Sequence, residues 1–261
     1  MTQLNSPADN EPAWPKVAII GGTGFMDGLE LVELQRRQHS TAFGSASAPL
    51  LHLRDPGCGA EFVLLARHGS PHAVAPHLVN YQANIMALKQ VGITHIIGVN
   101  AVGSIDPALQ AQDIVVPHQL VDYTWGRAAS FFDSRCGELK HIDFSDPFDA
   151  QLRQQIFEQA HRLAIKVHKS GVYGVTQGPR LETRAEITRM ARDGCTLVGM
   201  TLMPEAALAR ELDIKYSSIC LVVNPAAGVQ DAVITMEQII AAINSGMRSV
   251  RKLVMATCAT L

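Results

Sequence analysis

The stretch Lys16-Val17-Ala18-Ile19-Ile20-Gly21-Gly22-Thr23-Gly24 joins an apolar run to a glycine-rich tetrapeptide. Residues 16–20 are mostly apolar and rich in β-branched side chains, which is typical of a strand buried on both faces of a sheet. Residues 21–24 present backbone N–H groups and a hydroxyl that suit an anion, although a tight turn explains them equally well. The loop lacks the third glycine of a dinucleotide fingerprint and the Gly-Lys-Ser/Thr of a P-loop. The stretch therefore predicts a buried first strand without a nucleotide-binding motif.

Further apolar runs along the chain alternate with amphipathic segments. Strands are predicted at residues 50–53, 62–66, 94–99, 113–117, 166–176, 195–200 and 215–223. Helices are predicted at residues 81–91, 149–164, 204–212 and about 235–256, and a further helix is predicted to start at Thr183. The alternation predicts an α/β fold: a single domain, residues 16–261, with a central, mixed, largely buried sheet flanked by helices. Residues 1–15 are predicted to be a disordered N-terminal tail.

The composition argues against several classes of protein. Of the 261 residues, 47% are hydrophobic and 18% are charged, which suits one compact domain. The formal net charge of -2 predicts no attraction to nucleic acid or to an anionic membrane. The five cysteines are scattered without a CxxC, which predicts a reduced, cytoplasmic protein without disulfides. No HExxH motif is present and no metal site is expected.

Polar residues follow several of the predicted strands at the points where the strands end. Arg67 offers a rigid fork that matches phosphate, and His68 adds a second donor. Because strand ends in an α/β sheet gather at one edge, these side chains are expected to meet at one small oxyanion. Taken alone, an Arg-His pair is more often part of a solvated loop. The candidate phosphate ligands are Thr23, Arg67, His68, Asn100, Ala101 and Thr201.

Glu182 and Asn224 each lie just past a strand-like run, in segments that resemble turns. Glu182 ends Gly178-Pro179-Arg180-Leu181-Glu182, and Asn224 ends Ile219-Cys220-Leu221-Val222-Val223-Asn224. Glu182 also suits a helix N-terminal charge, and Asn224 also suits a polar turn before Pro225. The residue types alone leave these alternatives open.

The motifs resemble those of the trimeric purine nucleoside phosphorylase and methylthioadenosine phosphorylase family. The motifs occur along the chain in the same order as in that family, and they span nearly the whole chain from residue 16. The matching motifs are Ile19-Ile20-Gly21-Gly22-Thr23-Gly24, Ala66-Arg67-His68-Gly69, Asn80-Tyr81-Gln82-Ala83-Asn84, Gly178-Pro179-Arg180, Gly199-Met200-Thr201 and Pro204-Glu205. The stretch Asn224-Pro225-Ala226-Ala227-Gly228 is similar to the bacterial methylthioinosine phosphorylases of that family.

This resemblance implies phosphorolysis, in which inorganic phosphate displaces a purine from a ribose. Phosphate is then a co-substrate and no other cofactor is implied. The resemblance also implies a homotrimer with its sites near the subunit interfaces. Met200, which alone would indicate ordinary core packing, is implied to lie along the ribose. The other implied substrate contacts are Leu181, Glu182, Asn224 and Ala226, and the implied phosphate ligands are the six candidates given above.

The implied mechanism uses bound phosphate as the nucleophile at an oxocarbenium-like centre, so it needs no pair of protein carboxylates. Asn224 is expected to stabilise the departing purine, because its amide accepts from protonated N7 and donates to O6. Asn224 and His68 are therefore the predicted catalytic residues. Glu205, near the start of a helix, is expected to favour the helix dipole.

The polarity of the base edge indicates which purine fits. Hypoxanthine and guanine present N1–H as a donor, whereas adenine presents a bare N1, and an ionised Glu182 can only accept. Adenine-type members of the family carry a small hydroxyl residue in place of Glu182 and an Asp in place of Asn224. Because mismatched buried polar groups discriminate strongly, a 6-oxopurine is the predicted base.

The 5′ substituent of the sugar is the least constrained feature. Met236 is apolar and suits a methylthio group, although a structural Met at a helix start is equally ordinary. The resemblance to the methylthio enzymes of the family implies that His141 reaches a neighbour's pocket in the trimer. The predicted substrate is S-methyl-5′-thioinosine, with inosine or guanosine as the alternative. Methylthioadenosine phosphorolysis and non-catalytic purine binding are further alternatives, and the incomplete glycine fingerprint argues against a Rossmann-type dehydrogenase.

Overall fold

The computed structural model describes residues 12–22, 24–26, 30–132, 139–230 and 234–261. Most of the predicted N-terminal tail, residues 1–11, lies outside these ranges. The described end of the tail is packed: the Trp14 ring stacks on His52, with 5.9 Å between the ring centroids. Trp14 also lies against the apolar core. Trp14, near the end of the predicted tail, thus packs against the domain.

The described residues form thirteen β-strands and five α-helices. The strands are β1 (Val17–Gly21), β2 (Val32–Arg37), β3 (Ser40–Thr41), β4 (Gly44–Ser45), β5 (Leu50–Arg54), β6 (Glu61–Ala66), β7 (His95–Ser104), β8 (Ile114–Val115), β9 (Gln119–Asp122), β10 (Val167–His168), β11 (Val172–Val175), β12 (Leu197–Gly199) and β13 (Lys215–Pro225). The helices are α1 (Tyr81–Gln90), α2 (Ala150–Arg162), α3 (Arg184–Arg192), α4 (Leu202–Glu211) and α5 (Met236–Cys258). In this part of the chain, no helix combines the length and the apolar character needed to cross a membrane.

Eleven of the described strands form one mixed sheet with the order β10-β8-β13-β7-β1-β6-β5-β2, to which β12, β11 and β9 are added through β7. The central strands β13, β7, β1 and β6 are parallel. β12 runs antiparallel to the end of β7 and pairs Leu197 with Ser104. The carboxyl ends of the central strands therefore meet at one edge, which is where open α/β sheets bind ligands.

Helices cover both faces of this sheet. The first strand shows the two faces, because Ala18 and Ile20 pack with residues of α1 and α4, whereas Val17 and Ile19 pack with residues of α2 and α5. All of β1 is buried, as its apolar run predicts. The predicted α/β fold with a mixed, helix-flanked sheet is confirmed.

Two segments extend beyond their predicted ends. Residues 100–104, expected to form a loop, continue β7, because β13 pairs with them on one side and β12 pairs with Gly103 and Ser104 on the other. β13 likewise runs on to Pro225, with a bulge between Val222 and Asn224. Asn224 thus lies in a strand and not in a turn.

The predicted helix starts at Thr183 and Thr235 are confirmed. Thr183 and Glu186 form a complete capping box at α3, and Thr235 and Gln238 form one at α5. The regular part of α4 begins with Pro204, because Met203 has a non-helical φ of -113° and ψ of 138°. These local signals could be seen in the sequence because each acts over three residues.

Candidate active site

A cavity of about 450 Å³ lies at the carboxyl edge of the central strands. It brings together most of the residues that the sequence singles out: Arg67, His68, Asn100, Ala101, Leu181, Glu182, Met200, Thr201, Asn224, Ala226 and Met236. Thr23 lies outside the described residues. His141 is exposed and does not line this cavity.

Arg67 follows β6 and is only 1% exposed. Its Nε and Nη2 donate to the two carboxylate oxygens of Glu205 at 2.7 and 2.8 Å. Nη1 also donates to the carbonyl of Val99, and Nη2 to that of Ile20. Burial by itself lowers the pKa of Arg67, but the charge and hydrogen bonds of Glu205 outweigh it and hold the pKa above its ordinary value. Since a guanidinium has five N–H donors, one hydrogen on Nη1 has no partner among the described residues.

Glu205 is equally buried and has a further partner in Tyr216, whose hydroxyl donates to Glu205 Oε1 at 2.6 Å. Burial and the negative charge of Glu205 raise the pKa of Tyr216 well above its ordinary value, so the phenol stays protonated. Gly98 makes room for this group, because a Cβ at Gly98 would lie 2.1 Å from the Tyr216 hydroxyl. The sequence predicts that Glu205 interacts favourably with the helix dipole. Its principal contact in the structure is the ion pair with Arg67.

His68 is buried beside this ion pair. Its Nδ1 lies 2.9 Å from the carbonyl oxygen of Val74, which can only accept, so Nδ1 carries the proton. Burial and the charge of Arg67 lower the pKa of His68 to about 4. A neutral ring with a proton on Nδ1 has a bare Nε2, so His68 offers an acceptor there and not the donor that the sequence predicts. The ring also stacks on His72, with 4.4 Å between centroids.

Asn100 of β7 and Thr201, which lies between β12 and α4, are joined by a hydrogen bond. Thr201 Oγ1 donates to Asn100 Oδ1 at 2.7 Å, and Asn100 Nδ2 donates to Ser218 Oγ at 2.7 Å. All three side chains are buried. For Thr201 to donate to an anion, its single hydroxyl proton has to turn away from Asn100.

Glu182 lies between two cavities, the one already described and a second of about 260 Å³. Thr176 Oγ1 donates to Glu182 Oε1 at 2.6 Å. Among the described residues, the second carboxylate oxygen, Oε2, has no hydrogen-bond partner. The carboxylate is therefore anchored at one oxygen and can accept a further hydrogen bond at the other.

Asn224 sits at the bulge of β13, beside Gly103 on the neighbouring strand β7. Its Nδ2 donates to the carbonyl of Pro225 at 2.7 Å. This contact holds the amide group within the strand end and leaves Oδ1 without a partner among the described residues. An amide oxygen without a partner can accept a hydrogen bond from an N–H or O–H group of a ligand.

Three apolar side chains complete the wall of the cavity. Gly178, with a φ of 61°, lies against Met200, and a Cβ there would be 2.5 Å from the Met200 sulfur. Leu181 is 44% exposed and Met236 is 62% exposed, so both lie at the open side of the cavity. Apolar residues at a cavity mouth suit an apolar part of a ligand.

Three further residues at the site, Tyr216, Thr176 and His72, are not indicated by the sequence. Glu205 did carry a signal, since the Pro204-Glu205 pair is one of the family motifs. Tyr216 lies inside a buried strand and Thr176 at the end of another, and neither residue type indicates by itself that its hydroxyl faces a carboxylate.

The fold and the cavity point to one class of protein. The chain belongs to the phosphorylase superfamily, whose family profile matches residues 16–259. The family predicted from the motifs is thereby confirmed, and so is an enzyme of the nucleoside phosphorylase type.

Two relatives and one solved structure show which kinds of phosphorylase the chain is similar to. A probable S-methyl-5′-thioinosine phosphorylase from Pseudomonas syringae pv. tomato is 50% identical over 236 residues, which are 90% of this chain and 94% of that protein. A probable 6-oxopurine nucleoside phosphorylase from Dictyoglomus turgidum is 40% identical and aligns over 91% of this chain and 89% of that protein. The solved structure of a methylthioadenosine phosphorylase from Schistosoma mansoni in complex with adenine matches with a TM-score of 0.87 at 32% identity, covering 94% of this chain and 91% of that one.

Proposed function

We propose that the protein catalyses the phosphorolysis of S-methyl-5′-thioinosine to hypoxanthine and 5-methylthioribose 1-phosphate. The observation that carries this proposal is that Glu182 and Asn224 face one cavity with Arg67 and His68. Hydrogen-bond acceptors at the base end and an anion cradle at the other end are what this reaction requires. The relative named a probable S-methyl-5′-thioinosine phosphorylase supports the choice of substrate.

In the proposed reaction a phosphate oxygen bonds to C1′ of the sugar as the bond from C1′ to N9 breaks. The electron pair of that bond passes to the purine, which takes up one proton from solvent at N7, and the N7–H donates to Asn224 Oδ1. Hydrogen phosphate releases its own proton to solvent as the ester forms, so no net proton is consumed. The charge of the phosphate stabilises the developing oxocarbenium ion. Water and a protein nucleophile are not required.

We place phosphate against Arg67, His68, Asn100, Ala101 and Thr201, with Thr23 as a further ligand. The cradle carries little net charge, because Glu205 neutralises Arg67 and His68 is neutral at pH 7. The remaining Nη1 hydrogen of Arg67 donates to the anion, and the bare Nε2 of His68 accepts from the hydroxyl of hydrogen phosphate. The site then selects phosphate by its pattern of donors and acceptors.

We assign Glu182 and Asn224 to the base and Met200, Leu181, Ala226 and Met236 to the sugar side. Glu182 Oε2 accepts from N1–H of hypoxanthine, and Asn224 contacts N7 and O6. Met236 packs on the methylthio group at the cavity mouth. The proposal includes a homotrimer in which His141 approaches the cavity of a neighbouring subunit, and light scattering in solution measures its mass. It also includes a single domain over residues 16–261 and a cytoplasmic location.

The test is hypoxanthine release from S-methyl-5′-thioinosine with and without phosphate. We expect release that depends on phosphate and yields the sugar 1-phosphate, and Asn224→Ala should reduce kcat about 100-fold. Binding of the nucleoside without hypoxanthine release at any phosphate concentration would instead mean a non-catalytic purine-binding protein. Equal kcat/KM for inosine and S-methyl-5′-thioinosine would favour the general 6-oxopurine phosphorylase.

A further inference from the structure

Thr176 lies behind the base-reading carboxylate and not in the substrate cavity. It lines the second cavity, whereas Glu182 lines both. Its hydroxyl donates to Glu182 Oε1 at 2.6 Å, while the alternative acceptor, the carbonyl of Gly199, is 3.3 Å away. A hydroxyl has one proton to donate, and the shorter contact directs it to Glu182.

The backbone of Thr176 is held on both sides. Its N–H donates to the carbonyl of Gly199 at 2.8 Å, which continues the pairing of β11 with β12. Its carbonyl accepts from Arg127 Nη2 at 3.2 Å, and the same guanidinium group donates to the carbonyl of Gln177 at 3.0 Å. The hydroxyl therefore approaches Glu182 from a fixed position in the sheet, although Glu182 itself follows a loop.

We propose that Thr176 is a specificity-determining positioning residue, which fixes one oxygen of Glu182 so that the other faces N1 of the purine. This inference rests on the proposed function. With Oε1 anchored, Oε2 meets the N1–H of a 6-oxopurine and opposes the bare N1 of adenine. Without the anchor, the carboxylate turns about its side-chain torsions and accepts from the 6-amino group of adenine, so discrimination falls.

The test compares Thr176→Val with Thr176→Ser, using S-methyl-5′-thioinosine and methylthioadenosine as substrates. For Thr176→Val we expect kcat/KM for the 6-oxopurine to fall about 10- to 100-fold, the size of one hydrogen bond to a charged group. The value for methylthioadenosine should change less than about threefold, and the KM for phosphate should stay the same. Thr176→Ser keeps the hydroxyl and should restore most of the base preference.

Thr196→Val is the matched control. Thr196 Oγ1 accepts from the backbone N–H of Val172 near the opposite end of the same strand pair, away from Glu182. Its loss should lower stability without changing the ratio between the two substrates.

Two results would overturn the proposal. One is an unchanged ratio of kcat/KM between the two substrates in Thr176→Val, whether both values stay the same or fall equally. The other is a raised KM for phosphate in that variant. Glu182→Ala separates this failure from that of the proposed function. If Glu182→Ala changes the ratio and Thr176→Val does not, only the role of Thr176 is wrong. If Glu182→Ala also leaves the ratio unchanged, the base-reading assignment fails and the role of Thr176 with it.

Discussion

Glu182 and Asn224 line the same cavity, but different local structures position them there. Glu182 precedes the capping box that starts α3, and Thr176 anchors its carboxylate. Asn224 lies at the bulge of β13, where the register with β7 shifts by one residue. A bulge re-aims a side chain that regular alternation would point elsewhere. The bulge is thus part of the arrangement that puts the amide into the cavity.

Exchanging both base-reading residues should change the preferred purine. In Glu182→Ser with Asn224→Asp, the acceptor for N1–H is lost and a carboxylate faces N7. We expect the kcat/KM ratio of S-methyl-5′-thioinosine to methylthioadenosine to fall by about 100-fold or more. Steady-state phosphorolysis of both nucleosides measures it. A double variant that remains specific for hypoxanthine would disprove the assignment.

Gly178 leaves room for Met200, the residue that we propose lies against the sugar. In Gly178→Ala the new Cβ would lie 2.5 Å from the Met200 sulfur, at a φ of 61°. We expect about a tenfold rise in the KM for the nucleoside and a loss of about 1 kcal/mol in unfolding free energy. Gly194→Ala is the matched control, since Gly194 also has a positive φ but no heavy atom within 4 Å of its Cβ. A nucleoside KM that rises equally in both variants would contradict the role given to Met200.

The sequence could name individual site residues better than their partners. Arg67 and Glu205 are 138 residues apart, and nothing in the residue types shows that they form an ion pair. The hydrogen-bonding role of Glu182 could be predicted from its residue type alone, because an ionised carboxylate can only accept hydrogen bonds. The acceptor state of His68 Nε2 could not, since it depends on a contact with the Val74 carbonyl.

At the scale of elements, tertiary pairing overrode local signals. β7 continues through Asn100-Ala101-Val102-Gly103-Ser104, where polar and glycine residues predict a loop, because β12 and β13 flank it there. β2 escaped prediction since its sequence VELQRR is polar and mostly exposed. Helices with complete capping boxes were predicted well, as their signals are local.

The first turn of α4 carries Glu205, which holds the guanidinium of Arg67, a proposed phosphate ligand. In Glu205→Gln, Arg67 keeps a neighbour of similar shape but loses its counter-charge in a buried site. We expect about 3 kcal/mol lower unfolding free energy and a phosphate KM raised about tenfold, because Arg67 is no longer fixed. Denaturant unfolding and phosphate kinetics measure the two effects.

The control for that variant lies on the same helix. Glu211 is also buried and accepts from the backbone N–H of Phe131. Glu211→Gln should leave the KM for phosphate unchanged. If Glu205→Gln likewise has a normal phosphate KM, Glu205 stabilises the fold without positioning Arg67.

At the scale of the whole molecule, histidines with a lowered pKa couple stability to pH. The pKa of His68 is lowered from its ordinary value near 6.5 to about 4, chiefly by burial. Below about pH 6.5 the unfolded chain binds a proton that the folded chain refuses until about pH 4. The contribution of His68 to stability is therefore complete above pH 6.5 and is lost as the pH falls toward 4.

The corresponding measurement is the melting temperature between pH 7 and pH 4 for the wild type and His68→Gln. The variant should lose less stability over this range, because it has no group at position 68 to protonate. Burial lowers the pKa of His39 and His95 as well, so part of the acid destabilisation should remain. Parallel curves for the two proteins would show that His68 is not a source of the pH dependence.

The central claim is that the cavity reads a 6-oxopurine. The most direct measurement is kcat/KM for S-methyl-5′-thioinosine and for methylthioadenosine at saturating phosphate in the wild-type protein. With Glu182 as an acceptor at N1, we predict a preference of at least about 100-fold for S-methyl-5′-thioinosine. Equal turnover of the two nucleosides, or a preference for methylthioadenosine, would contradict the account.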